Sequence, residues 1–111
     1  MDDATRLQYL FQTLGDANRL RMIKFIGSQK RSVSEIVKET DLSQPLVSHH
    51  LRTLRERGIL TTERNGPFIY YRLKNTKLPD ALGVFLEIAG ELKGITVKNP
   101  MFCCPPRWRH F

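Results

Sequence analysis

The stretch LSQPLVSHHLRTLRERGIL, residues 42–60, decides the fold of this chain. Ser43 is a suitable N-cap for a helix, and Pro45 follows inside the first turn, where its missing N–H costs nothing. The next apolar side chains recur at the spacing of one buried helical face: Val47, Leu51 and Leu54. The sequence therefore predicts a helix with one buried face, which ends at Gly58 as its C-cap.

A shorter helix is predicted just before this one. Ser32 or Ser34 opens it, and Ser32 with Glu35 has the spacing of a capping box. The helix ends near Thr40, which leaves only Asp41-Leu42-Ser43 as the connection to the next helix. Two helices joined by so short a turn have the geometry of a helix-turn-helix.

The segment after the second helix has the composition of a β-hairpin. Residues 59–64 and 68–73 are rich in β-branched and aromatic side chains, and Asn65-Gly66-Pro67 separates them. Asn-Gly between two such runs is the strongest local hairpin signal, so we expect the turn there. Tyr70 and Tyr71 are adjacent in a strand, so one should face inward and the other outward. The predicted fold class is mainly α with a small β-hairpin wing, which is a winged helix-turn-helix.

Further helices are predicted on both sides of this region. Residues 4–14 and the segment from Asp16 to Gly27 have helical periodicity and suitable caps, and residues 80–93 form the last helix after a linker. The tail from residue 99 onward holds three prolines and has no helical period. We therefore divide the chain into a folded domain, residues 1–98, and a C-terminal tail, residues 99–111, that contains the prolines and the cysteines.

Two motifs resemble the ArsR-type family of prokaryotic winged helix-turn-helix repressors. One is LGDANRL, residues 14–20, and the other is the succession Leu-Ser-Gln, Val-Ser-x-His-Leu and Leu-Arg-x-x-Gly within residues 42–58. The resemblance extends over roughly residues 5–93. It implies a homodimer that binds a palindromic operator in double-stranded DNA as a transcriptional repressor, with the first and last helices packed against those of the partner. Residues 1–98 are then the DNA-binding and dimerisation domain.

The outward face of the helix after Ser43 is the predicted contact with DNA bases. In a helix-turn-helix, the N-terminal part of the second helix enters the major groove, where glutamine can bond adenine and arginine can bond guanine. The candidate DNA contacts on this helix are Ser43, Gln44, Pro45, Ser48, His49 and Arg52. The candidate contacts on the wing are Arg64, Asn65 and Gly66, which suit phosphates. The alternative is a merely solvated helix face.

The positive charge of the chain is concentrated where these candidates lie. The net charge is +7, and residues 44–77 hold seven basic and two acidic side chains. A basic block in an otherwise near-neutral chain is typical of a nucleic-acid surface, although a solvated basic face has the same composition. No glycine-rich nucleotide loop, paired carboxylates or Ser-His-Asp motif is present, so we expect no enzyme. The alternative function is a winged-helix protein–protein docking module without sequence-specific DNA binding.

The remaining candidates for chemistry are a histidine and two cysteines. His50 lies at the edge of the buried stripe, where a half-buried side chain with a backbone partner is expected rather than a metal ligand. Cys103 and Cys104 are the only thiols, and they can hold a soft metal ion with His110, can oxidise, or can be incidental. The family's usual metal-ligand positions, in the third helix (residues 32–38) and in the last helix, hold no cysteine or histidine here. A soft metal ion at the C-terminal cysteines is therefore the one cofactor considered.

No segment of the sequence resembles a membrane span or a secretory signal. The N-terminus, Met1-Asp2-Asp3, is acidic, and no apolar run approaches the roughly 20 residues that a membrane-spanning helix needs. We therefore expect a cytoplasmic protein whose partners are double-stranded DNA and a second copy of the same chain.

Overall fold

The computed structural model describes residues 1–93 and divides the chain into two compact units. The first unit is Met1–Thr76, and the second begins at Lys77. In chain order the elements are α1 (Asp3–Leu14), α2 (Ala17–Ile26), β1 (Arg31–Ser32), α3 (Val33–Thr40), α4 (Gln44–Glu56), β2 (Leu60–Asn65), β3 (Phe68–Leu73) and α5 (Leu78–Ala89). The succession of helices with a hairpin after α4 is the predicted one, and β1 is an addition.

Side-chain caps explain where the helices of the first unit begin. Each of four residues accepts a hydrogen bond from the backbone N–H three residues further on: Asp2, Asp16, Ser32 and Ser43. Ser32 and Glu35 form the predicted capping box in both directions. At the other end of α4, the C-cap is Arg57 and not Gly58. Gly58 follows it with a φ of 83°, the left-handed conformation that favours glycine just after a helix.

The apolar core of the first unit is organised around α4. The predicted stripe of Val47, Leu51 and Leu54 is completely buried. It packs with α2, α3 and the sheet, whose own buried side chains are Met22, Ile23, Ile26, Ile36, Leu60 and Leu73. Burying each such side chain contributes about 1.5–3 kcal/mol, so the core strongly determines which side of α4 faces inward.

The sheet contains one strand more than the predicted hairpin. β1 pairs antiparallel with β3, with Arg31 opposite Tyr71, and the strand order is β1-β3-β2. A strand of two residues has no periodicity, so its sequence could not predict it. As adjacent residues of β3, Tyr70 and Tyr71 point to opposite faces of the sheet, and the side chains of both are half-buried. β1 flanks both tyrosines, and Lys30, just before β1, lies 5.1 Å above the ring of Tyr70.

The hairpin turn differs by one residue from the Asn-Gly prediction. Asn65 is paired with Phe68, so it ends β2, and the loop consists of Gly66 and Pro67 alone. Gly66 has a φ of 63°, whereas the proline ring fixes φ near −65°. A positive φ at the first loop residue and a negative φ at the second fit a type II′ turn, which suits the twist of paired strands, and do not fit type I′. A turn centred on Asn65-Gly66 would need the N–H of residue 67 to close it, and proline has no N–H, so the Asn-Gly turn is not formed.

The second unit contributes α5, which begins two residues earlier than predicted and ends four residues earlier. Pro79 lies in its first turn, where proline is well tolerated, and Gly90 follows its last residue. Leu82 is the buried residue of this helix, whereas Val84, Phe85 and Ile88 are 43–57% exposed. Within residues 1–93 no helix is long and apolar enough to cross a membrane.

His50 is a polar side chain of α4 that is turned toward the protein interior. It is 6% exposed, and its Nε2 lies 3.9 Å from Oδ1 of Asp16, which is too long for a hydrogen bond. Its Nδ1 has no hydrogen-bond partner among residues 1–93, so the expected half-buried histidine with a backbone partner is wrong. Burial lowers the pKa of His50 below its ordinary value of 6.5; the Asp16 carboxylate opposes this shift, whereas Arg19 and His49 add to it.

The lowered pKa of His50 makes the stability of the fold depend on pH. Below about pH 6.5 the unfolded chain binds a proton at His50 that the folded chain binds only at lower pH, so the free energy of unfolding falls as the pH falls. Replacement by His50→Gln should flatten this fall between about pH 7.5 and pH 5 in urea unfolding experiments. His49→Gln removes the exposed neighbour and should change the profile far less, because His49 is the smallest of the causes that shift the His50 pKa. Identical profiles for wild type and His50→Gln would contradict the burial of a neutral His50.

Candidate nucleic-acid interface

The turn between α3 and α4 brings the start of α4 to the surface. Asp41 is the C-cap of α3; its φ of 57° is left-handed, and its N–H donates to the Val37 carbonyl at 2.9 Å. Ser43 ends the turn and accepts a hydrogen bond from the Leu46 N–H at 3.3 Å. Because one left-handed residue redirects the chain, three residues suffice to join the two helices. The N-terminus of α4 is left exposed.

Pro45, His49 and Arg52 of α4 lie on the side away from the core, and Gln44 is exposed in the first turn. Five of the six predicted contact residues are exposed and one, Ser48, is half-buried; the exposed ones are Ser43, Gln44, Pro45, His49 and Arg52. Pro45, Ser48, His49 and Arg52 follow the i, i+3, i+4, i+7 spacing, so they form one continuous stripe along the helix. Arg55, one turn beyond Arg52, is also exposed and extends this stripe. The same helical period identifies Arg55, which the sequence analysis omitted.

The wing exposes all three of its predicted contact residues. Arg64, Asn65 and Gly66 lie at the tip, and the strand register places Arg64 opposite Ile69. Phe68, the first residue of the return strand, is 58% exposed. The tip therefore combines a cation, a side-chain amide and a glycine without side-chain bulk, all accessible to a large partner.

The cations around the interface differ in what they contact. Arg72 and Lys30 lie 3.9 Å and 3.7 Å from the same carboxylate oxygen of Glu63. Lys30 is remote from Glu63 in sequence, and only the pairing of β1 with β3 brings it there, so no local signal could have found it. By contrast, within the described residues no acidic side chain lies within 4.0 Å of Arg52, Arg55 or Arg64. The charge of these three arginines is therefore not neutralised by a carboxylate of residues 1–93.

Metal-binding side chains do not cluster in the part of the chain that the structure describes. No group of three or more histidine, cysteine, aspartate or glutamate side chains in residues 1–93 is placed to hold a metal ion. The sequence candidates for a metal or redox site, Cys103 and Cys104, lie outside these residues, as does His110.

Known proteins share this arrangement in sequence and in structure. The model of the bacterial regulatory protein arsR family matches residues 16–62, from the N-cap of α2 into β2. The arsenic resistance transcriptional regulator ArsR1 of Pseudomonas putida is 35% identical over 101 residues, which are 90% of this chain and 73% of that protein. The crystal structure of the transcriptional repressor BigR from Xylella fastidiosa is 32% identical with a TM-score of 0.69, and the match covers 77% of this chain and 87% of that one.

A third relative supports the fold alone. The homodimeric winged helix-turn-helix DNA-binding domain of a possible ArsR-family regulator from Mycobacterium bovis, solved by NMR, is 22% identical with a TM-score of 0.67. The match covers 82% of this chain and 89% of that one, and it confirms the predicted winged helix-turn-helix. The family consists of transcriptional regulators, which are not enzymes. With its family model matched across the helix-turn-helix and a regulator of the same family aligned along most of its length, the chain belongs to the arsR family of bacterial regulatory proteins.

Proposed function

We propose that this protein is a transcriptional repressor that binds a palindromic operator in double-stranded DNA as a homodimer. The observation that carries the proposal is the exposed stripe of α4. The stripe presents His49 and Arg52 to solvent, Gln44 is exposed in the first turn of the same helix, and none of the three side chains is buried in the core. A helix that emerges from a helix-turn-helix with such a stripe is the element that enters the major groove in this class of protein.

The two strongest base-contact candidates are Gln44 and Arg52. Gln44 is the first residue of α4, and Arg52 lies eight residues further, about 12 Å along the helix axis. That length corresponds to about three to four base pairs at roughly 3.4 Å each, which is a reasonable half-site for one helix. Glutamine recognises adenine and arginine recognises guanine through paired hydrogen bonds in the major groove. Ser43, Pro45, Ser48 and His49 line the same contact and bind bases or phosphates.

The wing serves a different purpose in this proposal. Arg64 and Asn65 bind phosphates, and Gly66 lets the backbone approach the sugar-phosphate chain closely. Such contacts add affinity for any duplex and make binding depend on salt, but they carry little information about base sequence. Specificity thus comes from α4, and much of the general affinity comes from the wing.

The homodimer is supported by apolar side chains that one chain leaves exposed. On α1, Leu7 is 50% and Phe11 is 44% exposed, and they lie four residues apart on one face. On α5, Phe85 and Ile88 are 43% and 49% exposed. Leu14, the last residue of α1, is buried within its own chain and is not part of this exposed surface. A second copy of the chain would cover the exposed residues, and a two-fold dimer would bind an inverted repeat.

Substitutions in α4 and in the wing should weaken DNA binding in different ways. Arg52→Ala and Gln44→Ala should each reduce the preference for operator over random duplex by about 1–3 kcal/mol, because each removes a paired contact with one base. Arg64→Ala should weaken binding to all duplexes alike and reduce the slope of log affinity against log salt by about one unit. Fluorescence anisotropy titrations measure both effects, and light scattering of the operator complex should give two chains per duplex.

Arg6→Ala provides the matched control, since it removes the same charge from the exposed side of α1. Its affinity and operator preference should equal those of the wild type. The same profile for Arg52→Ala and Arg64→Ala would contradict the division of roles between α4 and the wing. A wild type that binds no duplex, but binds an acidic protein partner, would instead support the docking module.

We also propose that the control site of this repressor is at Cys103 and Cys104 in the tail, residues 99–111. These are the only thiols of the chain, and thiolates are the preferred ligands of soft metal ions. The third helix, α3, has neither cysteine nor histidine. A metal ion or a crosslink at the tail of a dimer can change the relative orientation of the two DNA-binding domains, residues 1–98 of each chain.

This control site predicts that DNA binding responds to thiol chemistry. Operator affinity of the wild type should change between reducing buffer, buffer with a thiol oxidant, and buffer with a soft divalent metal. The double variant Cys103→Ser/Cys104→Ser should keep one affinity in all three, because a hydroxyl neither oxidises nor binds soft metals as a thiolate does. Equal responses of the two proteins, or no response of either, would exclude the tail as the control site.

A further inference from the structure

Arg57, at the end of α4, makes contacts different from those of the other arginines of this helix. It belongs by sequence to the basic block of residues 44–77, yet its side chain turns back toward α1. One terminal nitrogen, Nη1, donates a hydrogen bond to Oγ1 of Thr13 at 3.1 Å. The guanidinium carbon lies 5.1 Å from the centre of the Tyr9 ring, which is the geometry of a cation–π contact. Two independent contacts therefore hold Arg57 against one helix.

The acceptor of this hydrogen bond, Thr13, is buried and has a fixed orientation. Thr13 is 1% exposed, and its Oγ1 donates to the Tyr9 carbonyl at 2.9 Å. The hydroxyl proton of Thr13 is thus donated within α1, and a lone pair of the same oxygen accepts the hydrogen bond from Arg57. A bond from a charged donor to a buried, fixed acceptor is stronger than one between neutral groups and resists competition from water.

The last turn of α1 is itself held in place by a second arginine. Arg19 of α2 donates from Nε to the Thr13 carbonyl at 2.7 Å and from Nη2 to the Gln12 carbonyl at 3.2 Å. These carbonyls lie at the C-terminus of α1, where intrahelical partners are missing and positive charge is favourable. Arg57 therefore binds to a turn that is already fixed to α2.

Two sides of α1 make different contacts. Tyr9 and Thr13 are four residues apart and share the side that contacts Arg57. Leu7 and Phe11 share another side, which carries the exposed apolar surface assigned above to the second copy. α1 thus lies between the proposed recognition helix of its own chain and the proposed dimer interface.

We propose that Arg57 is a positioning residue: it ties the end of α4 to α1 and so sets the spacing of the two recognition helices in the dimer, without contacting DNA. This role rests on the proposed function. Two helices of a dimer must meet successive major grooves about 34 Å apart, and a small rotation of α4 relative to α1 is doubled by the two-fold symmetry. The Arg57–Thr13 bond opposes that rotation in each subunit.

The test uses the full chain and a series of operators whose half-sites are separated by different numbers of base pairs. Arg57→Ala removes the arginine, and Thr13→Val removes the hydroxyl from a buried residue that cannot touch DNA. Both variants should bind the best operator about tenfold more weakly, with a broader preference for spacing. Their salt slopes on random duplex should equal that of the wild type. Thr13→Ser restores the hydroxyl and should restore the spacing preference.

Two controls separate this role from a phosphate contact and from loss of folding. Arg55→Ala removes the same charge from a side chain not bonded to α1, and its spacing preference should match the wild type. All binding is measured at a temperature at which circular dichroism shows that every variant retains the wild-type helix content. A salt slope lower by about one unit for Arg57→Ala, with spacing preference intact, would assign Arg57 to a phosphate and overturn the proposal.

The outcomes also distinguish this inference from the proposed function. If the wild type selects one spacing and Thr13→Val selects it equally well, the tether has no positional role, although the protein remains a specific DNA-binding repressor. If the wild type binds no duplex, the proposed function fails and the positional role fails with it.

Discussion

The burial of one face of α4 is the constraint on which the rest of the structure depends. Val47, Leu51 and Leu54 are completely buried, and rotating α4 by one residue, about 100°, would move all three out of the core. At about 1.5–3 kcal/mol for each side chain, this would remove much of the stability of a small domain. Burial of this face therefore orients the exposed stripe of α4 toward solvent. Because packing does not determine the residue types of the stripe, they can be suited to a binding partner.

Much of the fold could be predicted because its determinants are local. Ser32 with Glu35, and Ser43 with Pro45, mark helix starts through bonds that reach only three residues along the chain. The apolar spacing of α4 is likewise contained within one helix. The exposed side of that helix follows once its buried side is known. For this reason, five of the six α4 candidates lie at positions that the structure leaves exposed.

The features that sequence analysis missed depend on distant residues. β1 exists because Arg31 meets Tyr71, forty positions away, and the same pairing brings Lys30 to Glu63. His50 lies 3.9 Å from Asp16, which precedes it by 34 positions in the sequence. The hairpin turn is an exception, because its determinant is local: Pro67 lacks the N–H that would close a turn centred on Asn65-Gly66.

The basic block shows why net charge alone is a poor guide to a binding surface. Arg72 shares Glu63 with Lys30, and Arg57 is bonded to Thr13, so these cations already have partners in the folded chain. Exposed pairs such as those at Glu63 contribute little to stability, about 0–1 kcal/mol, but they lower the charge that an approaching phosphate meets. Among the arginines of residues 44–77, Arg52, Arg55 and Arg64 have no carboxylate within 4.0 Å in the described part of the chain, and they lie on α4 and at the wing.

Selection of bound duplexes from a random DNA pool tests most directly whether this surface recognises sequence. We expect enrichment of an inverted repeat whose half-sites are a few base pairs long, with centres about one helical turn apart or a multiple of it. Within each half-site, an adenine facing Gln44 and a guanine facing Arg52 should be the positions most strongly retained. A pool that binds but shows no enriched sequence, or one that yields only single half-sites, would contradict a dimeric, sequence-specific repressor.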